Sequence, residues 1–239
     1  MKAKNVLLLV FGAFVLAETA IYITYLVYEL SYGINLIYLK YAGIITCLFF
    51  AGVGIFFYGK DGITVTVALA FTVVSDLFIL VLNTYYEVGI CTFIVVQICY
   101  FVRIYMINGK KPYISLGVRL GVVAVLLAVL GGLGMLKSAV VVLSAIYFPQ
   151  LAINAVESAM LIRLDKKYIA FFIGLVLFAI CDICVGVDNM AAVGGSLPSD
   201  IQYFVNKTIW IVYLPAQVLI VLSEKKTEYK PFFKLKRSV

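Results

Sequence analysis

The chain has 239 residues, of which 64% are hydrophobic and only 13% carry a formal charge, and its mean hydropathy is +1.11. Soluble domains average about 45–50% apolar and about 25% charged residues, so this composition excludes a soluble enzyme or a soluble binding module. The sequence contains no histidine, which excludes imidazole bases and the commonest metal ligand.

The apolar residues occur in blocks of about 20, the length that a helix needs to cross roughly 30 Å of hydrocarbon. The sequence therefore predicts an all-α integral membrane protein, an eight-helix transmembrane bundle that forms a single domain over residues 1–239. The first block is too long for a signal-peptide core of about 7–15 residues and is interpreted as an uncleaved span. The expected spans are about 5–29, 36–58, 62–82, 87–107, 114–134, 138–162, 168–188 and 203–222.

Lysine and arginine predict the orientation of the bundle. With the N-terminus inside and eight spans, only Lys40, Lys137 and Lys207 of the 19 basic residues lie outside. The positive-inside rule then places a multi-pass protein in the cell membrane with both termini cytoplasmic, and residues 223–239 form a basic cytoplasmic tail near membrane lipids. The net charge of +7 mainly reflects this excess of basic residues on the inside of the membrane. Because the basic residues are scattered over separate loops, no nucleic-acid partner is expected.

Two aspartates interrupt apolar spans, Asp76 in span 3 and Asp182 in span 7. A charged side chain at the bilayer centre costs about 2.5–3.5 kcal/mol even on the lower scales, and such residues commonly have a function. Both lie at a similar depth, and each is followed in the next span by a glutamine, Gln97 or Gln217. This internal similarity is consistent with two parallel four-helix repeats, spans 1–4 and spans 5–8.

Polar residues also recur at helical spacing, which places them in stripes along single faces. Because an unpaired polar group costs several kcal/mol in hydrocarbon, the stripes are expected to face one another. They have two explanations, hydrogen bonds that hold helices together or the lining of a polar cavity, and their number favours the cavity. The stripes are Glu18, Tyr22, Tyr25 and Glu29; Thr72, Asp76 and Asn83; Tyr147, Gln150, Asn154 and Glu157; Asp182 and Asn189; and Asn206, Trp210, Tyr213 and Gln217.

The two aspartates have two interpretations as well. In the first, they are structural and Asp76 pairs with a cation such as Lys40 or Arg103. In the second, they form an acid/base pair in which one carboxyl group donates a proton and the other accepts one. This chemistry requires neither a metal nor a cofactor, and none is expected.

At these residues the chain resembles the YhhN-like lysoplasmalogenase family of eight-span membrane proteins. Residues 75–80 resemble that family's Gly/Ser-Asp-x-x-Leu motif, and residues 89–100 resemble its Gly-x-x-x-Phe-x-x-x-His-x-x-Tyr stretch. Lys40 matches the lysine of its Lys-Pro-Leu motif, while residues 178–182 and 213–217 resemble its Phe-x-x-Ser-Asp and Tyr-x-x-x-Gln motifs.

The resemblance covers about residues 36–222, and three positions depart from the family pattern. Gln97 replaces the family's histidine, Tyr41 replaces its proline, and Cys181 replaces the serine before the second aspartate. Loss of the histidine matters for catalysis unless the aspartates carry the chemistry.

The resemblance implies hydrolysis of the vinyl ether bond of lysoplasmalogens, which are lysophospholipids, to a fatty aldehyde and a glycerophospho-headgroup compound. A carboxyl pair is able to open this bond by acid/base catalysis, and the hypothesis is that Asp76 and Asp182 form that catalytic pair. The residues expected to bind or orient the substrate or water are Lys40, Gln97, Tyr100, Tyr213, Gln217, Glu18, Asn154 and Glu157.

Two other functions remain open. The first is a non-catalytic lipid-binding or lipid-sensing membrane protein, which the glutamine at position 97 favours. The second is a proton-coupled small-solute transporter, since intramembrane acids also mark proton relays. Transport often uses broken helices, for which residues 131–134 and Pro215 are the candidates, and Pro149 predicts a kink in span 6.

Overall fold

The computed structural model describes residues 3–194 and 198–227, and within these ranges the chain is helical without any strand. All eight helices are long and apolar enough to cross a membrane, which confirms the predicted all-α transmembrane bundle. The helices are α1 Ala3–Thr24, α2 Ile37–Tyr58, α3 Lys60–Asp76, α4 Tyr86–Asn108, α5 Tyr113–Gly132, α6 Ala139–Ile162, α7 Tyr168–Gly194 and α8 Ser199–Leu222. The predicted basic tail lies outside the described residues from position 228 onward.

The helix ends differ from the predicted spans mainly around the connection between α7 and α8. There, α7 continues to Gly194 and α8 begins at Ser199, so both helices are longer than their apolar blocks. Hydropathy detects only the part of a helix that suits hydrocarbon, and a helix whose end carries polar residues, such as Asp200 in the first turn of α8, extends beyond that part.

Two helices change their hydrogen-bonding pattern within their spans. After α1 the chain continues as a π-helical segment, Tyr25–Leu30, and after α3 it continues as a second one, Leu77–Val81, directly beyond Asp76. Such segments often occur at functional sites. The helix break suggested by Pro215 is absent, because α8 continues through it. The other candidate, residues 131–134, lies at the end of α5. The helix α6 continues through Pro149, and the predicted kink there stays a prediction.

Six helices form a closed ring in the order α2, α3, α4, α6, α7 and α8, with α8 packed against α2. The other two lie outside this ring, α1 mainly against α2 and α5 against α6. The contacts of α1–α4 correspond to those of α5–α8. For example, α1 packs against α2 as α5 packs against α6, and α4 lies beside α6 as α8 lies beside α2. Two parallel repeats would produce this pattern. We call the side of the bundle on which α8 ends the tail side, and the side on which α8 begins the far side.

Glycines bring neighbouring helices of the ring close together. A Cβ atom added at Gly62 of α3 would lie 2.8 Å from the carbonyl oxygen of Gly54 in α2, and one at Gly174 of α7 would lie 3.0 Å from that of Ala216 in α8. Small residues at such contacts are typical of membrane helix pairs. The α2–α3 and α7–α8 pairs therefore pack backbone to backbone.

A polar cluster on the tail side fixes the end of α8 to the ring. Arg103 donates to both carboxylate oxygens of Asp61 at 2.8 and 2.9 Å, and both side chains are fully buried. The same guanidinium donates to the hydroxyl and the carbonyl of Ser223, and the backbone N–H of Lys225 donates to Asp61 at 2.8 Å. Because a buried charge requires a partner, this cluster determines where the chain leaves α8.

Glu224 is buried beside this cluster, and neither of its carboxylate oxygens has a hydrogen-bond partner among the described residues. Burial raises the pKa of Glu224 to about 9 from its ordinary value of 4.5, although the positive charge of Arg103 opposes the shift. The folded state thus binds the proton more tightly than the unfolded state, so stability falls as the pH rises from about 4.5 to about 9.

We expect Glu224→Gln to remove this loss of stability. The variant should unfold at a higher temperature than the unmodified protein at pH 8, by about 2–4 °C for each kcal/mol recovered. At pH 5 the difference should be much smaller, because Glu224 is then protonated in the folded state. Thermal unfolding in detergent at both pH values measures the effect, and parallel pH profiles for the two proteins would contradict it.

Candidate functional site

Asp76 is the last residue of α3 and lies immediately before the π-helical segment. Its side chain is 5% exposed, and its Oδ2 accepts a hydrogen bond of 2.7 Å from the hydroxyl of Tyr213 in α8. The preceding residue, Ser75, donates to the carbonyl of Gly89 at 2.6 Å and so joins α3 to the start of α4. The carboxyl group is therefore held by a tyrosine hydroxyl on a helix two places away around the ring.

Asp182 has a similar environment in the middle of α7. Its Oδ2 accepts a hydrogen bond from the hydroxyl of Tyr147 in α6, and the residue is only partly exposed. The side chain of Tyr147 is buried, as is that of Tyr213. Each intramembrane aspartate is therefore oriented by one buried tyrosine from another helix.

The two aspartate–tyrosine pairs are connected through aromatic rings in the interior of the helix ring. The centroid of Tyr213 lies 5.6 Å from that of Phe178, which lies 5.6 Å from that of Phe93. Phe93 in turn lies 5.7 Å from Tyr147. The structure thus brings the two acids into one region of the bundle.

The polar stripes face one another largely through direct hydrogen bonds. Tyr147 bonds Asp182 and Tyr213 bonds Asp76, so these polar groups contact one another directly. Two pockets lie elsewhere, one on the tail side around Tyr168 and one on the apolar surface of α5. A polar cavity at the two aspartates stays a prediction.

Lys40 lies on the far side and is 4% exposed. Its Nζ forms an ion pair of 2.5 Å with Glu29 and lies 4.3 Å from the centroid of Trp210. The ring of Trp210 contacts that of Tyr213 at 5.6 Å, so Lys40 is linked to Asp76 through two aromatic side chains. The predicted place of Lys40 on the outer side agrees with the far side of the bundle, and the lysine is enclosed there beside its own counter-ion.

The structural interpretation of Asp76 also fails for both of its proposed partners. Lys40 pairs with Glu29, and Arg103 pairs with Asp61 on the tail side. Both cations are thus neutralised by other acids, and the hydrogen bond that the structure gives the carboxyl group of Asp76 comes from Tyr213.

A second polar network joins α4, α5 and α6, nearer the tail side than the aspartates. Asn154 donates to the backbone carbonyl and to the Oε1 of Gln97, at 2.9 and 3.0 Å. Arg119 donates to Asn154 at 2.9 Å and to Glu157 at 2.6 Å, and Tyr105 donates to the other oxygen of Glu157 at 2.8 Å. Glu157 is therefore the counter-ion of a buried arginine.

Arg119 and Tyr105 are the residues of this network that the sequence does not predict, and Arg119 was counted with the inside loop. The structure places Arg119 within α5, where it is 4% exposed. Its distance from the start of the apolar block was the available signal, since a loop arginine would not lie more than one turn inside a span.

Glu18 is buried on α1, outside the ring. It accepts hydrogen bonds from the hydroxyl of Thr46 and, at 3.7 Å, from the thiol of Cys47, both on α2. These partners belong to the contact between α1 and α2. The structure therefore gives Glu18 a place in helix packing, away from the helices that carry the aspartates.

Three predicted site residues retain buried polar atoms without a hydrogen-bond partner among the described residues. They are the Nε2 of Gln97, the hydroxyl of Tyr100, and both side-chain amide atoms of Gln217. Within a membrane each such atom costs several kcal/mol, and buried polar groups in proteins are rarely left unpaired. These atoms are consequently suited to bind water or the polar part of a ligand.

Comparison with known proteins gives one match. The profile of the YhhN family matches residues 36–224, a range that includes both aspartates and every predicted site residue except Glu18. No curated protein matches the chain, and no solved structure matches it.

Proposed function

The chain belongs to the YhhN family, and on that premise we propose that it is a membrane hydrolase that cleaves the vinyl ether bond of lysoplasmalogens. The products would be a fatty aldehyde and a glycerophospho-headgroup compound. The observation that carries the proposal is the pair Asp76 and Asp182, each oriented by a buried tyrosine and both inside the helix ring. The surrounding helices are apolar enough to cross a membrane, where a lipid substrate is found.

The proposed chemistry begins with the protonated carboxyl group of one aspartate. It donates its proton to the vinyl carbon remote from the ether oxygen, and the adjacent carbon becomes part of an oxocarbenium ion. The other aspartate, as a carboxylate, stabilises this cation and accepts a proton from the attacking water, as a carboxylate pair does in glycoside hydrolysis. The second aspartate then donates its proton to the glycerol oxygen of the resulting hemiacetal, the bond between that oxygen and the former vinyl carbon breaks, and the first aspartate accepts the proton of the hemiacetal hydroxyl, which yields the aldehyde and restores both carboxyl groups.

Other residues have supporting roles in this proposal. Tyr147 and Tyr213 hold the two carboxyl groups in position. Tyr100 and Gln217 offer unpartnered polar atoms to water or to the glycerol part of the lipid. Lys40 lies on the far side in an ion pair with Glu29, and it would bind the phosphate of the lipid by exchanging this carboxylate for it.

The proposal is tested by incubating the purified protein with a lysoplasmalogen and measuring aldehyde release. A lysophospholipid of the same chain length with an ester in place of the vinyl ether serves as the control substrate. We expect aldehyde from the vinyl ether and no fatty acid from the ester. Binding of both lipids without aldehyde would contradict the proposal and support the lipid-binding function that Gln97 favours.

Tyr213→Phe and Tyr147→Phe should each lower kcat by about tenfold, because the loss of one hydrogen bond worth about 1–1.5 kcal/mol leaves the carboxyl group less well oriented. Tyr41→Phe is a matched control, since this hydroxyl donates to the carbonyl of Val73 rather than to an aspartate. Equal activity in all three variants would show that the tyrosines do not position the acids.

We further propose that the tail side faces the cytoplasm, as the distribution of basic residues predicts. Residues 223–239 would then be a cytoplasmic extension of a single transmembrane domain in the cell membrane. Labelling of a cysteine introduced at position 137, in the connection between α5 and α6, tests this orientation in intact cells. Access from the outside agrees with the proposal, and access from the cytoplasm alone contradicts it.

A further inference from the structure

The guanidinium group of Arg119 is fully engaged within the membrane-spanning bundle. Its Nε donates to Ser115 at 3.0 Å, and its Nη1 donates to the side-chain oxygen of Gln150 at 3.1 Å. Its Nη2 donates to Asn154 at 2.9 Å and to Glu157 at 2.6 Å. Because arginine has donors and no acceptor, the atom of Asn154 that faces it must be the oxygen. The cation therefore determines which way the amide of Asn154 points.

The orientation of Asn154 in turn determines that of Gln97. With its oxygen facing Arg119, Asn154 directs its nitrogen at α4, where it donates to the backbone carbonyl and to the Oε1 of Gln97. The nitrogen of Gln97 is then left as a donor, and this buried Nε2 has no partner among the described residues. Each residue in this series of hydrogen bonds donates to the next, from the cation of Arg119 on α5 through Asn154 to Gln97 on α4. The series ends at an N–H group of Gln97 that has no partner among the described residues.

This donor lies one helical turn from an aromatic contact beside one acid of the proposed catalytic pair. Gln97 is on the same face of α4 as Phe93 and Tyr100, which are four residues before and three residues after it. The ring of Phe93 contacts Tyr147, the tyrosine that holds Asp182. Along the axis of α4, Gln97 therefore lies one helical turn, about 5–6 Å, from the contact between Phe93 and Tyr147 that is next to Asp182.

We propose that Arg119 and Asn154 are positioning residues that fix Gln97 as a hydrogen-bond donor to an oxygen atom of the reacting lipid or of the hydrolytic water. This inference rests on the proposed hydrolase function. A donor held by a fixed cation needs no reorganisation when the reaction occurs. With the amide turned the other way, Gln97 would present an acceptor and repel the same oxygen.

The test is Asn154→Asp, which preserves the size of the side chain and its contact with Arg119 but removes the N–H groups. Gln97 should then turn its nitrogen to the new carboxylate and its oxygen to the substrate. We expect kcat/KM to fall by about 100-fold, as for loss of one preorganised donor. If only kcat falls, the oxygen atom that accepts from Gln97 belongs to the hydrolytic water. If only KM rises, that oxygen atom belongs to the lipid.

The same substitution in a Gln97→Met background distinguishes positioning from general structural damage. Without the glutamine amide there is no donor to orient, so Asn154→Asp should change activity there by less than about threefold beyond Gln97→Met alone. Ser158→Ala is the matched control, because this buried hydroxyl on α6 bonds only the carbonyl of Ala155 and should leave activity unchanged. Equal losses in both backgrounds, or no loss in either, would overturn the inference.

If Asn154→Asp does not fold, Gln97→Met tests the donor itself. It leaves the contact between Arg119 and Asn154 intact and removes the donor nitrogen, so the 100-fold loss is expected again. Wild-type protein without aldehyde release would refute the hydrolase function, and the inference with it. Active wild-type protein with a fully active Asn154→Asp or Gln97→Met variant would refute the inference alone.

Discussion

Asp76→Asn and Asp182→Asn should each lower kcat for aldehyde release by about 10²–10⁴, the range associated with loss of a general acid or base. An asparagine oxygen still accepts the hydrogen bond from Tyr213 or Tyr147, so the local geometry is preserved. An amide has no exchangeable carboxyl proton, however, and it is unable to protonate carbon. Steady-state assays with purified variants, together with their thermal midpoints, separate lost chemistry from lost folding.

Asp188→Asn is the matched control for these variants. Asp188 lies on the same helix as Asp182, further towards the far side, where it accepts a hydrogen bond from Asn206 at 3.1 Å in an exposed position. The same chemical change should leave activity there within about twofold, because a surface substitution usually has an effect within 0.5 kcal/mol. Activity retained in both Asp76→Asn and Asp182→Asn would refute their assignment as an acid/base pair.

The largest effect on stability is expected at the ion pair of Arg103 and Asp61. Both side chains are completely buried, and Arg103→Met would leave the carboxylate without its bidentate partner. Breaking such a pair costs about 3–5 kcal/mol, which corresponds to about 6–20 °C in the thermal midpoint of a chain of this size. Thermal unfolding of the purified variant in detergent measures the loss.

Two comparisons control this prediction. The double variant Arg103→Met and Asp61→Leu should recover much of the stability, because apolar residues replace both charges and leave neither unpaired. Asp165→Asn removes an exposed ion pair with Lys225 on the same side and should have little effect. A midpoint for Arg103→Met equal to that of Asp165→Asn would show that the buried pair does not stabilise the fold.

The helices and the two central acids were predictable because each depends on a local property of the sequence. Apolar blocks of sufficient length identify a transmembrane helix, and a carboxyl group inside such a block is conspicuous. The ion pair between Glu29 and Lys40 was predictable from the sequence as well. The two residues lie at the facing ends of consecutive spans joined by a short connection, although the sequence analysis assigned Lys40 to binding of the substrate.

The remaining features depend on how the helices are rotated about their axes, which the sequence does not specify. Whether Asp76 meets a cation or the hydroxyl of Tyr213 depends on the packing of α3 against its neighbours in the ring. The same holds for Arg119, whose counter-ion Glu157 belongs to a different helix. The π-helical segment after Asp76 has no residue type that marks it, so only coordinates reveal it.

The most direct measurement of the central claim, that paired carboxyl groups open a vinyl ether by protonating carbon, is hydrolysis of a lysoplasmalogen by the purified protein in D₂O. The account predicts an aldehyde, trapped by reduction as it forms, that carries one deuterium on the carbon next to the carbonyl carbon. In H₂¹⁸O, the released glycerol compound should contain no ¹⁸O, because water attacks the former vinyl carbon. Aldehyde without that deuterium, or ¹⁸O in the glycerol product, would contradict the account.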